Sequence, residues 1–240
     1  MKNIVLVLFI ICSFLSSCSK KGCTDSLALN YNSEAKKDDG SCDYSAPSIS
    51  LIGPDTISLC LGAQFSDPGF SSEDVFGTDI TGSVDVVNEV DNSLVGLYNV
   101  SYSVIDQNGN VFSVKRVVEV SICVSSLVST YSVSHDCQIN LGFTAIDLIS
   151  ESQSILSGNS SNEIIIQDFN QFISEVTANI NGNNIEVPEY TFSVGVAPLT
   201  LDVTISGSGT INSTGTELVI DYNYEVPLVG PGSCVATYLK

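Results

Sequence analysis

Two stretches of this 240-residue chain place chemistry-bearing side chains at close spacing. The first runs G-C-T-D-S-L-A-L-N-Y-N-S-E-A-K-K-D-D-G-S-C from Gly22 to Cys42, two cysteines bracketing Asp25, Asn30, Asn32, Glu34, Asp38 and Asp39. Oxygen donors at that density suit a hard cation, and calcium takes six to eight of them. Asn30, Asn32 and Glu34 have the alternating spacing of an EF-hand loop. Its sixth position, however, is Ala35 where glycine makes the sharp turn, and its twelfth is Ser41 where a bidentate Glu is needed. The remaining form a Ca2+ site can take here is an irregular cage from Asp25, Asn30, Asn32, Asp38 and Asp39. The second stretch is Ser134-His135-Asp136-Cys137, around the single histidine. A His beside an Asp beside a Cys suggests an activated nucleophile. Neighbours on a strand point to opposite faces, so His135 and Asp136 diverge, and a turn or surface role is expected instead. No G-x-S-x-G or P-loop occurs, and no catalytic residue is assigned.

The cysteines say where such chemistry would operate. Residues 1–17 read M-K-N-I-V-L-V-L-F-I-I-C-S-F-L-S-S: one positive charge, an apolar run too short to span a bilayer, then small residues. That is the anatomy of a secretory signal. Its end, Leu15-Ser16-Ser17-Cys18, resembles a bacterial lipobox. The resemblance implies cleavage before Cys18 and acylation of Cys18, a durable anchor because each buried methylene contributes about 0.8 kcal/mol. With Cys12 removed and Cys18 acylated, six of the eight cysteines remain. An even count in an exported chain implies disulfides, and six allow 15 connectivities. The simplest assignment closes each unit once: Cys23 with Cys42, Cys60 with Cys123, Cys137 with Cys234.

Composition excludes other classes. Against 27 Asp and Glu stand 8 Lys and Arg, a net charge of −19, which repels nucleic acid and anionic headgroups alike. The membrane is therefore reached through lipid alone. Aliphatic and β-branched residues are plentiful enough for real cores.

After Ala46-Pro47 the pattern becomes short strands between turns. Ser48–Gly53, Thr56–Leu61, Val84–Val90, Gly96–Asp106 and Asn110–Val124 are the runs. In the fourth, Tyr98, Val100, Tyr102 and Val104 alternate with Asn99, Ser101 and Ser103, the period of a half-buried strand. Asp106-Gln107-Asn108-Gly109-Asn110 reads as a hairpin turn. Roughly residues 47 to 123 resemble the bacterial surface immunoglobulin-like domain also found in pesticidal crystal proteins. The matching residues are Pro47, Ile49 and Leu51, then Gly62-Ala63-Gln64-Phe65-Ser66-Asp67-Pro68-Gly69 and Asp79-Ile80-Thr81-Gly82-Ser83-Val84. Gly96-Leu97-Tyr98-Asn99-Val100-Ser101-Tyr102 and Arg116-Val117-Val118-Glu119-Val120 complete them. The resemblance implies a β-sandwich used as a spacer or adhesive module, without catalytic residues. Cys60 and Cys123 depart from the family pattern and would staple an early strand to the last one. The stretch from Gly22 to Cys42 in turn resembles a short cysteine-bounded repeat of bacterial surface proteins.

From Ser125 onward the runs Leu127–Val133, Cys137–Ile146, Glu163–Phe169, Phe172–Ile180, Leu199–Ser206, Glu217–Val226 and Cys234–Leu239 suggest seven or eight strands. Gly182-Asn183-Asn184 and Gly207-Ser208-Gly209 read as hairpin turns. The expected fold is all-β. The divisions are a signal peptide over 1–17, an anchor and Cys-bounded loop over 18–46, an Ig-like sandwich over 47–124, and a second sandwich or small, calycin-like barrel over 125–240. The expected function is non-enzymatic: a lipid-anchored outer-membrane protein of a Gram-negative envelope that presents its β domains for adhesion or for binding a glycan or surface protein. Lys20 and Lys21, where acidic residues often mark export to the surface, leave surface-facing and periplasm-facing orientations both open. Two rivals stand beside this reading. One is a glycan-acting hydrolase with a carboxylate pair in 125–240. The other is a purely structural envelope component.

Overall fold

The computed structural model describes residues 19–106, 109–136, 138–140, 145–147, 151–170, 173–196, 199–227 and 229–240. The fold is all-β, and no helix among those residues is long and apolar enough to cross a membrane. By its internal contacts the chain divides into two compact units. One holds the residues up to Asp55 with Pro68–Asn88 and Ser101–Lys115; the other holds Thr56–Asp67, Glu89–Val100 and Arg116–Lys240.

Six strands come from the Ig-like segment: β1 (Ser48–Leu51), β2 (Thr56–Cys60), β3 (Phe70–Glu73), β4 (Asp85–Asn88), β5 (Gly96–Ile105) and β6 (Val111–Ser121). β1 pairs antiparallel with β3, and the other four form a sheet in the order β2-β6-β5-β4. β2 runs parallel to β6, Ile57 opposite Val118. The alternation read in β5 is realised, with Val100, Tyr102 and Val104 buried. The Phe70 ring lies 4.9 Å from that of Tyr102.

Three of the family-like motifs have a direct physical meaning. Arg116 is fully buried and directs Nε at Asp67 Oδ1, 3.2 Å away. The Asp-Pro-Gly turn and the closing Arg-Val-Val run are thus joined by a charge-assisted contact. Tyr98 donates its hydroxyl to the Leu94 carbonyl at 2.8 Å, the tyrosine-corner bond that ties a strand start to the backbone upstream. Asp106 and Asn110 close the β5–β6 hairpin, Asp106 N–H donating to the Asn110 carbonyl at 3.0 Å. Gly109 supplies the left-handed φ of +86° that the turn demands. Gln107 and Asn108 lie outside the described residues. Cys60, the last paired residue of β2, is disulfide-bonded to Cys123, two residues past the end of β6.

A short helix α1 (Val124–Leu127) leads into ten further strands: β7 (Ser129–His135), β8 (Gln138–Asn140), β9 (Ala145–Asp147), β10 (Glu151–Ser157), β11 (Glu163–Asn170), β12 (Ile173–Asn181), β13 (Asn184–Val196), β14 (Leu199–Ile211), β15 (Glu217–Val226) and β16 (Gly230–Leu239). Eight of them close into a barrel in chain order, β10 through β16 and then β7, with β8–β9 as a separate hairpin. Every barrel pairing is antiparallel, as in an up-and-down barrel. Closure is made by β7 on β16, Val133 opposite Tyr238, and it removes the sheet edges.

Period-2 sequence fills the interior. In β15, Leu218, Ile220, Tyr222, Tyr224 and Val226 are buried, while Asp221, Asn223 and Glu225 are exposed. Each buried aliphatic side chain contributes about 1.5–3 kcal/mol. Three expectations change here. The run Cys137–Ile146 is not one strand: β8 and β9 fold back on each other, Ile139 opposite Ile146. Gly207-Ser208-Gly209 is not a turn but lies inside β14, where a Cβ on Gly207 would meet the Asp221 carbonyl at 2.5 Å. Those glycines let β14 approach β15 closely. Strands β10 and β13 have no counterpart among the expected runs. The first is polar (E-S-Q-S-I-L-S), and the second contains Pro188.

Candidate functional site

The N-terminal loop is closed by the Cys23–Cys42 disulfide. Its candidate oxygen ligands are engaged with the loop's own backbone. Asp25 Oδ1 accepts the Leu27 N–H at 2.9 Å and Asn32 Oδ1 the Glu34 N–H at 3.0 Å. Asp38 Oδ1 accepts from Gly40 at 3.0 Å and Asp39 Oδ1 from Ser41 at 3.1 Å. Asn30 spans the loop, donating Nδ2 to the Ser41 carbonyl and accepting the Asp43 N–H. Four of the five close Asx turns, local substitutes for regular structure in a segment without strands. Leu27 N–H, then the Tyr44 hydroxyl, hold the Asp25 carboxyl below its usual range. Among the described residues no three His, Cys, Asp or Glu side chains gather to hold a metal ion. Cys18 lies outside the described residues, as does Cys137; Cys234 is disulfide-bonded.

The polar groups of greater interest lie inside the barrel. β7 turns Tyr131 and Val133 inward and carries His135 half-buried; β10 turns in Gln153; β15 and β16 turn in Tyr222 and Tyr238. Tyr131 and Gln153 are direct cross-strand partners, and the Tyr131 and Tyr238 rings meet edge-on at 6.3 Å. Phe169 joins them through a β-bulge. In β11, Ile164 and Ile166 point inward, so strict alternation would bury Asp168. Instead the register shifts between Gln167 and Asn170, Asp168 adopts φ +54°, and Phe169 is fully buried. Two residues thus oppose one, the bulge re-aiming a side chain. Phe169 then sits 5.1 Å from the Tyr222 ring, and its carbonyl accepts from Gln153 Nε2 at 3.1 Å.

Two polar atoms of this cluster, Gln153 Oε1 and Tyr238 Oη, are buried and have no hydrogen-bond partner. Tyr222 Oη is 3.2 Å from His135 Nδ1. Burial lowers the His135 pKa and raises those of Tyr131, to about 12, and of Tyr222 and Tyr238 further. At neutral pH the cluster is therefore uncharged: amide, phenols and neutral imidazole. It can donate and accept hydrogen bonds. Among barrel strands, every carboxylate whose side chain is described is half-buried or exposed, Glu175, Asp202 and Asp221 among them. Asp136 is exposed beside His135, diverging as strand alternation requires. Sequence reasoning did not single out Gln153, Phe169 or Tyr238. Phase along a strand marks Tyr238 as inward, but the bulge that brings in Phe169 leaves only a positive-φ-tolerant Asp as its trace.

Among the curated proteins compared with the chain, none matches. Among solved structures, it aligns with a lipoprotein from Bacteroides thetaiotaomicron at 19% identity and a TM-score of 0.32, over 80% of this chain and 99% of that one. It also aligns with the CBM51-2 and INT domains of ZmpB from Clostridium perfringens, solved with GlcNAc, at 12% identity and a TM-score of 0.27, over 81% of this chain and 44% of that one. The M60 catalytic domain of ZmpB with CBM51-1 and CBM51-2 aligns at 12% identity and a TM-score of 0.28, over 83% and 22%. The family described as bacterial surface protein, Ig-like domain, matches residues 49–120, the span that contains Asp67, Tyr98 and Arg116. Over residues 49–120 the chain is accordingly similar to the Ig-like domain of bacterial surface proteins.

Proposed function

We propose that the protein is a lipid-anchored component of a Gram-negative outer membrane that binds a ligand without converting it, with the barrel Ser129–Leu239 as its binding module. The lipobox-like Leu15-Ser16-Ser17-Cys18 supports the anchor, and the Ig-like domain serves as spacer. The observation that carries the binding role is the pair of unpartnered atoms, Gln153 Oε1 and Tyr238 Oη. A buried polar group left unsatisfied costs about 1–3 kcal/mol, and native proteins keep few of them. An eight-stranded barrel is just wide enough to be filled by its own side chains or to hold one small ligand among them. A neutral molecule bearing hydroxyl or amide groups, such as a short glycan, would supply the missing donor and acceptor. The uncharged cluster and the outward carboxylates favour binding over hydrolysis.

The test uses thermal shift of the purified protein with a panel of neutral oligosaccharides, alongside the double variant Gln153→Leu/Tyr238→Phe. The expected result is a rise in Tm with one oligosaccharide class that the double variant abolishes. If no oligosaccharide shifts Tm and the double variant is simply more stable, the cluster is packing and the binding role is wrong. Mass spectrometry of the mature N-terminus tests the anchor separately: an unacylated terminus away from Cys18 overturns it.

A further inference from the structure

The first compact unit contains a cleft of about 450 Å³, within the size range of small-ligand sites. Its walls are Tyr44, Asp74, Phe76, Ile80, Ile105 and Asp106. The Tyr44 and Phe76 rings stand 5.3 Å apart at 60°, and Phe76 is 51% and Ile105 64% exposed. Large apolar side chains held open to water need a reason, and each wall here is fixed by specific bonds. Asp74 Oδ1 accepts the N–H groups of Phe76 and Thr78 at 2.9 and 2.8 Å, locking the turn that presents Phe76. Asp106 accepts from Asn110 through both oxygens, at 2.8 and 3.0 Å. Asn110 also donates to the Tyr44 carbonyl, while the Tyr44 hydroxyl donates to Asp25 Oδ2 at 2.9 Å.

The cleft thus combines two aromatic rings, an aliphatic wall and two carboxylates, with no cation among its described lining residues. Its field is negative: the Tyr44 pKa is raised first by its bond to Asp25, then by burial, then by the charges of Asp25 and Asp38. Aromatic faces and carboxylates together attract a positive charge, and an aliphatic wall suits a methylene stem. Anionic ligands are repelled by this lining and by the net charge of −19. We propose that this cleft binds an alkylammonium group, the amine head in the Tyr44–Phe76 angle beside Asp74 and Asp106 and its stem against Ile80 and Ile105. The site is independent of the barrel.

The test is calorimetric titration of the purified protein with three probes. Cadaverine represents a free amine, acetyl-lysine methylamide a lysine side chain, and glucose a neutral polyol. Both amines are expected to bind and glucose not; the tighter amine identifies the source. Phe76→Ala should weaken amine binding about tenfold. Asp74→Asn keeps the oxygen that caps the turn while removing its charge, and should weaken binding several-fold and flatten its salt dependence. Phe76 is half-exposed, so the fold survives its loss, and circular dichroism checks this. Gln153→Leu should leave amine binding unchanged, which separates this site from the barrel. Absence of amine binding, glucose binding as well as the amines, or amine affinity indifferent to both cleft variants each overturns the proposal.

Discussion

Between Cys23 and Cys42 the backbone is held by side chains of its own segment: one disulfide and a series of Asx turns. Only Cys23 and Ala28 are buried there, while Leu27, Leu29 and Tyr31 face solvent. The barrel is held in the opposite way. Its strands are paired by backbone bonds, and Ile155, Ile164, Ile166, Val203, Leu218 and Ile220 are fully buried. A segment too short to bury a core relies on covalent and local bonds; a longer one relies on buried area. The two should respond to different insults.

The largest effect is expected in the barrel core. Phe169→Ala removes a fully buried ring and should cost about 3–5 kcal/mol, read by urea unfolding. A cost below 1 kcal/mol would mean that the bulge does not seat Phe169 as described. Next comes the loop. Replacing Cys23 and Cys42 by serine should cost the segment about 3 kcal/mol. Limited proteolysis should then cut between residues 23 and 42 while the barrel keeps its Tm. A drop in barrel Tm would erase the contrast.

The third prediction concerns pH. The folded pKa values of Tyr131, Tyr222 and Tyr238 lie above the ordinary 10, so their contribution is complete below pH 10 and is lost as pH rises beyond it. His135 has a lowered folded pKa, so its contribution is complete above its unfolded value of about 6.5 and fades as pH falls below it. Ultraviolet titration should show these tyrosines ionising only with unfolding. Ionisation of all three in the folded protein at the ordinary value of about 10 would contradict the burial. The smallest effect is Asp168→Gly, which relieves a left-handed φ and should add up to about 1 kcal/mol without moving Phe169.

How much of this was legible depends on the kind of signal. The Ig-like segment announced itself because Asp67, Tyr98 and Arg116 are specific residues with specific bonds. The hairpin at Asp106–Asn110 was legible because a turn's chemistry is local. The barrel strands rich in alternating aliphatics could be counted. Gly207-Ser208-Gly209 misled because glycines that permit close strand approach look the same in sequence as glycines that permit a turn. β13 was hidden by Pro188, which the structure tolerates between the paired positions Val187 and Tyr190, where the register slips. Gln153 was hidden because β10 is polar on both faces in sequence, and only pairing with β7 shows which face is inside. The loop's acids were legible as oxygen donors. That their first partners are backbone N–H groups two residues on was not, because a turn and a cation use the same side chains.

Barrel closure also has a kinetic side. Because Val133 pairs with Tyr238, the first and last strands of the barrel meet only after nearly all the intervening chain is in place. Contacts of such long sequence separation form slowly. Until they form, β7 and β16 are both open edges, able to pair with another chain. A barrel that locks only when its final strand arrives resists premature closure. For the same reason, any version lacking β16 should self-associate.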